Sequence, residues 1–252
     1  MALEQHAFDI LRTLAPCRLL SLGVPDLLLS EEYDTKRADN EDGLQRWHRW
    51  RYPIYETDAL FREFGIEATY LDNQAHRGNE VVADLNEPLE VAYGLVGGGK
   101  GSHFAEKLFD VVLDPGTLEH CFNIGQAFKN VRNLCRPGGH ILHINPMSMF
   151  NHGFWNLNPC AYVDFYGDHG DEIVSKKIIG GTLEERLIYR WHDWQRFGAD
   201  NSMLCEVLIK RGDTPTMSGW PSQVKYDPEK RKKAIAEMKA AVEGRETAMD
   251  AG

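Results

Sequence analysis

Residues 109–146 read FDVVLDPGTLEHCFNIGQAFKNVRNLCRPGGHILHINP. Phe109 to Leu113 is a short apolar, β-branched run, the pattern of a strand buried on both faces. Asp114-Pro115-Gly116 stops it, because Pro lacks the ladder donor and Gly has no side chain to pack. Ile124, Ala127, Phe128, Val131 and Leu134 then recur at helical spacing, with Lys129, Asn130 and Arg132 between them. Pro137-Gly138-Gly139 is expected to end that helix, and Ile141 to Ile144 to begin another strand. Strand, helix and strand at these lengths form a βαβ unit, with a parallel sheet and a right-handed crossover. Ligands of such sheets sit beyond the carboxyl ends of the strands. Candidate functional residues are therefore sought at Asp114 to His120 and Asn145 to His152.

The same stretch carries a resemblance. Phe109-Asp110, Glu119-His120 and Arg136-Pro137-Gly138-Gly139 resemble, in order and spacing, the second half of a class I S-adenosylmethionine-dependent methyltransferase. The resemblance covers residues 17 to 150 and, more loosely, 185 to 211. It implies an α/β, Rossmann-like fold: a mostly parallel, seven-stranded sheet flanked by helices, with S-adenosylmethionine as cofactor. It is similar to a whole superfamily, so it implies a fold and a cofactor more firmly than a substrate.

A chain of 252 residues can bury one large core. Its net charge of −10 argues against a nucleic-acid partner. Cys17, Cys121, Cys135, Cys160 and Cys205 include no C-x-x-C pair and read as reduced thiols rather than a disulfide framework. No signal-like start and no apolar run of the roughly 18 residues that span a bilayer is present, so a cytoplasmic location without a membrane partner is expected.

Along the chain, residues 7 to 15 suggest a helix stopped by Pro16, and Arg18 to Leu22 a first strand left through Gly23-Val24-Pro25-Asp26. Residues 30–57 hold Trp47, His48, Trp50, Tyr52 and Tyr55 and read as an aromatic-rich insertion. Those rings either pack the insertion onto the sheet or wall a substrate pocket. A helix is expected at Asp58 to Phe64, capped by Thr57 or Asp58. Strands are expected at Ala68 to Leu71 and Glu80 to Ala83, with 185–191 and 203–210 as a closing antiparallel pair. Residues 1–212 form the methyltransferase-like domain in this reading, and 213–252 a charged tail with a thin helical stripe of Ile235, Met238 and Val242.

The implied cofactor sets chemical demands. A ribose diol wants a carboxylate acceptor, an adenine amine wants another, and the amino-acid end wants backbone groups at a Gly-containing turn. The resemblance thus implies Gly23 to Asp26 for the amino-acid end, Asp72 (or Asn73) for the ribose, and Asp84 with Leu85 for the adenine. Asp114 and Gly116, at the next strand end, complete the cofactor candidates. Each carboxylate has a plainer reading as a turn or cap residue. The superfamily's first-strand pattern, an acidic residue followed by alternating glycines, is reduced here to Gly23. That departure supports a second reading, a catalytically silent methyltransferase-fold subunit used for binding or scaffolding.

A sulfonium methyl is already activated, so catalysis needs in-line positioning plus a base. His120, just past a strand end beside Glu119, is the first candidate base and His152 the second; helix-start packing is the alternative for either. Phe154, Trp155 and Tyr162 either line an acceptor pocket or belong to the core. The acceptor is expected to be a small molecule or sugar-type compound, methylated at oxygen or nitrogen. Gly94 to Lys100 nearly spells a phosphate loop, but Gly101 stands where Ser or Thr must bind magnesium. His140 and His143, three apart on a strand, face opposite sides and cannot share an ion, so no metal site is expected.

Overall fold

The computed structural model describes residues 2–78, 80–89, 108–149, 151–181, 186–189, 203–216, 219–233 and 235–236. The Gly-rich stretch at 94–102 and the residues Met238 and Val242 lie outside these. The strands are β1 (Ala2–Glu4), β2 (Cys17–Leu22), β3 (Asp26–Leu28), β4 (Ile54–Tyr55), β5 (Ile66–Asp72), β6 (Val81–Val82), β7 (Phe109–Asp114), β8 (Cys135–Pro146), β9 (Glu172–Gly181), β10 (Arg186–Tyr189) and β11 (Leu204–Lys210). The longer helices are α1 (Gln5–Leu14), α2 (Glu41–His48), α3 (Thr57–Glu63), α4 (Ile124–Leu134) and α5 (Pro159–Asp168).

The main sheet has the order β10-β9-β11-β8-β7-β2-β5-β6. Its β8-β7-β2-β5-β6 part is parallel throughout, and β11, β9 and β10 add antiparallel strands. All seven expected strands lie in this one sheet, with β9 as an eighth. The two C-terminal strands are not paired with each other, because β9 hydrogen-bonds to both. Strand order reverses between β2 and β7, which makes a topological switch point where ligands of such sheets collect.

Period-two alternation sorts the side chains to the two faces. Leu20, Leu22, Val112 and Ile141 pack with Ala127, Phe128 and Val131 of α4 and Tyr162 and Tyr166 of α5. Leu19, Val111, Leu113 and Leu142 pack with Phe8 and Leu11 of α1 and Leu60 and Phe61 of α3. The sheet is thus covered on both sides, as its uninterrupted apolar strands require.

Two local expectations are corrected. Helix α4 ends at Leu134, and Pro137-Gly138-Gly139 lie inside β8 at an irregularity in its pairing with β7. Gly139 is obligatory there, since a Cβ would stand 2.7 Å from the Asp110 carbonyl oxygen. The N-cap of α3 is Glu56, whose carboxylate accepts from the Asp58 and Ala59 amides at 3.2 and 2.6 Å. Thr57 and Asp58 are engaged elsewhere: the Thr57 hydroxyl donates to the Pro25 carbonyl, and Asp58 accepts from the Tyr70 hydroxyl.

The segment 30–57 builds α2 and β4, and β4 joins β1 and β3 in a separate sheet of order β1-β3-β4. Trp50 packs with Leu28 and Ile54 in a small core, and Tyr55 is buried under Tyr33 with its hydroxyl accepting from the Tyr33 amide. Trp47 is exposed. Trp50 and Tyr55 thus pack the insertion, and the cleft described below is lined by other residues.

Glu206 of β11 is fully buried and ion-paired to His6 and Lys177, each at 3.1 Å. Burial pushes its carboxyl up, but His6 and Lys177 together outweigh that and hold it below the ordinary glutamate value. Its contribution to stability is therefore complete above the unfolded value, about 4.3, and disappears as pH falls through the lower folded value. Urea unfolding from pH 7 to pH 3 should show stability falling below about pH 4.3. In Glu206→Gln that acid slope should be shallower, and stability at pH 7 lower by about 1.5–3 kcal/mol. Parallel acid slopes in the two proteins would remove Glu206 from the explanation.

Candidate active site

Beyond the carboxyl ends of β5 and β6 the chain leaves a cleft of about 260 Å³. Its lining includes Asp72, Asn73, Asp84, Leu85, Thr117 and His120. Three backbone devices shape it. Gly23, at φ 82°, turns the chain away from β2 and donates its amide to the Leu71 carbonyl at 2.7 Å; this left-handed conformation favours glycine. Thr117 donates its hydroxyl to the Leu22 carbonyl at 2.7 Å, which fastens the turn after β7 to the end of β2. Asn130, buried on α4, donates to the carbonyls of Leu85 and Glu87, both at 2.9 Å, and accepts from the Leu89 amide.

Asp72, Asp84, Leu85 and His120 meet in this cleft. Asp84 Oδ1 accepts from the Asn86 amide at 2.9 Å and the Asn86 side chain at 2.7 Å, an Asx-type turn. Asp72 Oδ1 accepts from the Gln74 amide at 3.3 Å. Gly23, Asp26, Asp114, Gly116 and His152 are not among the lining residues. Asp26 is held by His48 at 2.9 Å and Arg77 at 2.8 Å; burial raises its carboxyl, and these bonds bring it net below the ordinary value. Asp114 is wholly buried: Oδ1 accepts from the Thr117 and Leu118 amides, and Oδ2 lies 2.8 Å from His143 Nδ1. Its hydrogen bonds thus go to protein groups. Gly116 takes φ 93° in the turn that follows.

A second group stands beside the cleft. Glu119 is completely buried, and its Oε2 accepts from Asn145 Nδ2 at 3.0 Å. Asn145 Oδ1 in turn accepts from the Tyr162 hydroxyl at 2.6 Å. Burial, and then the charge of Asp114, push the Glu119 carboxyl up to about 7. The His120 and His152 rings lie 5.2 Å apart, both about half exposed. Burial, and then His152, lower the His120 imidazole from its ordinary value. The neutral imidazole is thus favoured, with a lone pair available for a proton or another electrophile. Tyr162 belongs to the core, whereas Phe122, Phe154 and Trp155 form an exposed aromatic patch, with Phe122 and Phe154 edge to face at 5.4 Å. The partnerships of Asn145, His143 and Tyr166 escape a sequence reading, since His143 and Tyr166 bond each other through the core at 2.6 Å. The one available signal is that Asn145 lies near the end of β8, as Asp72 and Asp114 end theirs.

Residues 61–143, from the end of α3 into β8, match a family model described as a methyltransferase domain. That stretch is the part of the chain that resembles a methyltransferase domain. Among solved structures, the chain is similar to TehB from Haemophilus influenzae at 11% identity, over 81% of this chain and 60% of that one, with a TM-score of 0.40. It is also similar to the Burkholderia thailandensis 1,6-didemethyltoxoflavin-N1-methyltransferase at 17% identity, over 79% and 72%, with a TM-score of 0.40. MycE methyltransferase from the mycinamycin biosynthetic pathway gives 15% identity, over 86% and 51%, with a TM-score of 0.40. The chain thus spans 60% of TehB and about half of MycE. No curated protein matches it. Among the described residues, no helix is long and apolar enough to cross a membrane.

Proposed function

We propose that this chain is a class I methyltransferase that transfers a methyl group from S-adenosylmethionine to an oxygen or nitrogen of a small-molecule or sugar-type acceptor. The observation that carries this reading is the convergence of Asp72, Asp84, Leu85 and His120 on one cleft at the strand ends. The donor set fits a nucleoside: two carboxylates to accept from hydroxyls and an amine, against an apolar wall of Leu71, Ala83 and Leu85. Asp72 would hold the ribose diol and Asp84 the adenine amine, with Leu85 against the ring. At about 260 Å³ the cleft is smaller than the ~300–1,000 Å³ typical of whole-ligand sites, so it accounts for the nucleoside end alone. Gly23 would take the amino-acid end through backbone groups. When bound, the cofactor supplies an activated sulfonium methyl. His120 supplies orientation of the acceptor and a lone pair for its proton. The net charge of −10 favours a small acceptor over a nucleic acid.

Replacing Asp84 by alanine should cost a charge-assisted hydrogen bond, roughly 1.5–3 kcal/mol, or about ten- to a hundredfold in cofactor affinity. Titration calorimetry with S-adenosylmethionine reads this directly. Unchanged affinity in a folded Asp84→Ala protein would be incompatible with the assignment. One observation favours the second reading, a silent binding or scaffold subunit: of the first-strand glycines only Gly23 is present, and Asp26 is already committed to His48 and Arg77. Cofactor binding without turnover on any acceptor class would select it.

A further inference from the structure

We propose that Glu119, His120 and His152 form a binding site for one divalent transition-metal ion, of the zinc or cobalt class, beside the cleft. No ligand set of this kind was expected from the sequence, where only His140 and His143 were weighed as a metal pair. These three side chains come from the turn after β7 and the loop after β8. The inference stands on their geometry and does not rest on the cofactor reading.

The carboxylate is the first argument. Glu119 is fully buried, and while Oε2 is satisfied by Asn145, Oε1 makes no hydrogen bond. A buried acceptor left this way is costly unless something electropositive completes it. What faces Oε1 is two imidazoles: His152 Nε2 at 3.4 Å and His120 Nε2 at 3.9 Å. One ligand atom from each of the three residues lies within 4.8 Å of the others. A tetrahedral ion about 2.0–2.1 Å from each donor needs donors about 3.4 Å apart. The Glu119–His152 edge already has that length, and small rotations of the two half-exposed imidazoles close the rest.

The scaffold around the three donors is the second argument. The Phe154 and Trp155 amides both donate to the Glu119 carbonyl, at 2.9 and 3.2 Å, so the loop carrying His152 is clamped to Glu119 itself. Gly153 permits the approach: a Cβ there would stand 2.8 Å from the Glu119 carbonyl oxygen and 2.9 Å from its Cγ. Gly116 keeps the other side clear, since a Cβ there would come within 3.2 Å of Oε1. The Tyr162–Asn145–Glu119 chain orients the carboxylate in the way outer partners orient metal ligands.

Two imidazoles and one carboxylate suit zinc, cobalt and similar ions better than magnesium, which prefers oxygen ligands. Three protein ligands on a solvent-facing rim leave a fourth position open, the arrangement of a reactive rather than a purely structural site. Because His120 also lines the cleft, an acceptor hydroxyl in that fourth position would lie next to the cofactor site and lose its proton to solvent more readily, with His120 then serving as a ligand in place of a base. That use, unlike binding, rests on the proposed function.

The test is titration of the full chain, stripped with chelator and dialysed, with Co²⁺ by visible absorption and with Zn²⁺ by competition. Expected are ligand-field bands that saturate at one ion per chain, loss of that ion in His152→Ala and its retention in His152→Cys. Asn145→Ala should weaken affinity about 10–100-fold. Thermal unfolding of each variant shows whether it is folded, and His152 is exposed enough for its replacement to be tolerated. No stoichiometric Co²⁺ in the wild type, or equal binding by wild type and folded His152→Ala, overturns the site. S-adenosylmethionine titration of the same stripped protein separates the two readings. Cofactor binding without metal binding sinks the metal site alone, and the reverse sinks the proposed function alone.

Discussion

Replacing Arg132 by methionine should destabilise the fold by about 3–5 kcal/mol, the usual result of removing one partner from a buried ion pair. Arg132 is fully buried on α4 and grips Asp171 with two bonds, Nε to Oδ2 at 2.7 Å and Nη2 to Oδ1 at 2.9 Å. Its remaining donors reach the Thr214 carbonyl and the Thr216 hydroxyl, each at 2.9 Å, and the His169 carbonyl at 3.3 Å. One guanidinium thus joins α4, the end of α5 and the segment after β11. Methionine restores much of the volume but leaves the Asp171 carboxylate buried without its bidentate partner, with the Gly212 amide as its remaining hydrogen-bond donor among the described residues. A melting temperature lower by roughly 6–20 °C corresponds to that loss in a chain of this size. Urea unfolding of Arg132→Met, Asp171→Asn and the double variant measures it. The double variant should recover much of the loss, because the unpaired charge is gone. A single variant within about 1 kcal/mol of wild type would show that water or rearranged donors take over, and would retire this account.

The largest effect on activity is expected at His120. Removal of a general base typically lowers rate about 10²–10⁴-fold, and His120→Ala should do so while still binding S-adenosylmethionine. Its side chain is half exposed on the cleft rim, so stability should move by only about 0.5 kcal/mol. The measurement is transfer of labelled methyl groups to hydroxylated and amino small molecules, with calorimetry reporting cofactor affinity on the same proteins. Turnover equal to wild type would shift the role to His152, whose ring is the neighbour on the same rim.

The parallel half of the fold is legible because strands buried on both faces leave runs such as Val111-Val112-Leu113 that few other structures need. Strand β9 is harder to see: Lys176 and Lys177 interrupt it and Val174 points to solvent, so its core-facing apolar signal is split between Ile173 and the Ile178-Ile179 pair. Helical periodicity finds α4 but misassigns its polar positions. Asn130 and Arg132, which read as a solvated face, are buried because each satisfies several partners at once. In the site, residues that end strands are visible as Asp72 and Asp84. The Glu119–Asn145–Tyr162 chain is not, because three distant segments meet only once the sheet is packed.

The three bonds of Asn130 to the loop at 85–89 all go to main-chain atoms. The support that Asn130 gives this wall is therefore independent of which side chains the wall displays. Over evolutionary time a side chain such as Leu85 can be exchanged without refolding the loop, whereas Asn86 is tied in by its own bonds to Asp84 and to the Asn123 amide. Selection for a new ligand would act on the displayed side chains first and reach Asn130 last.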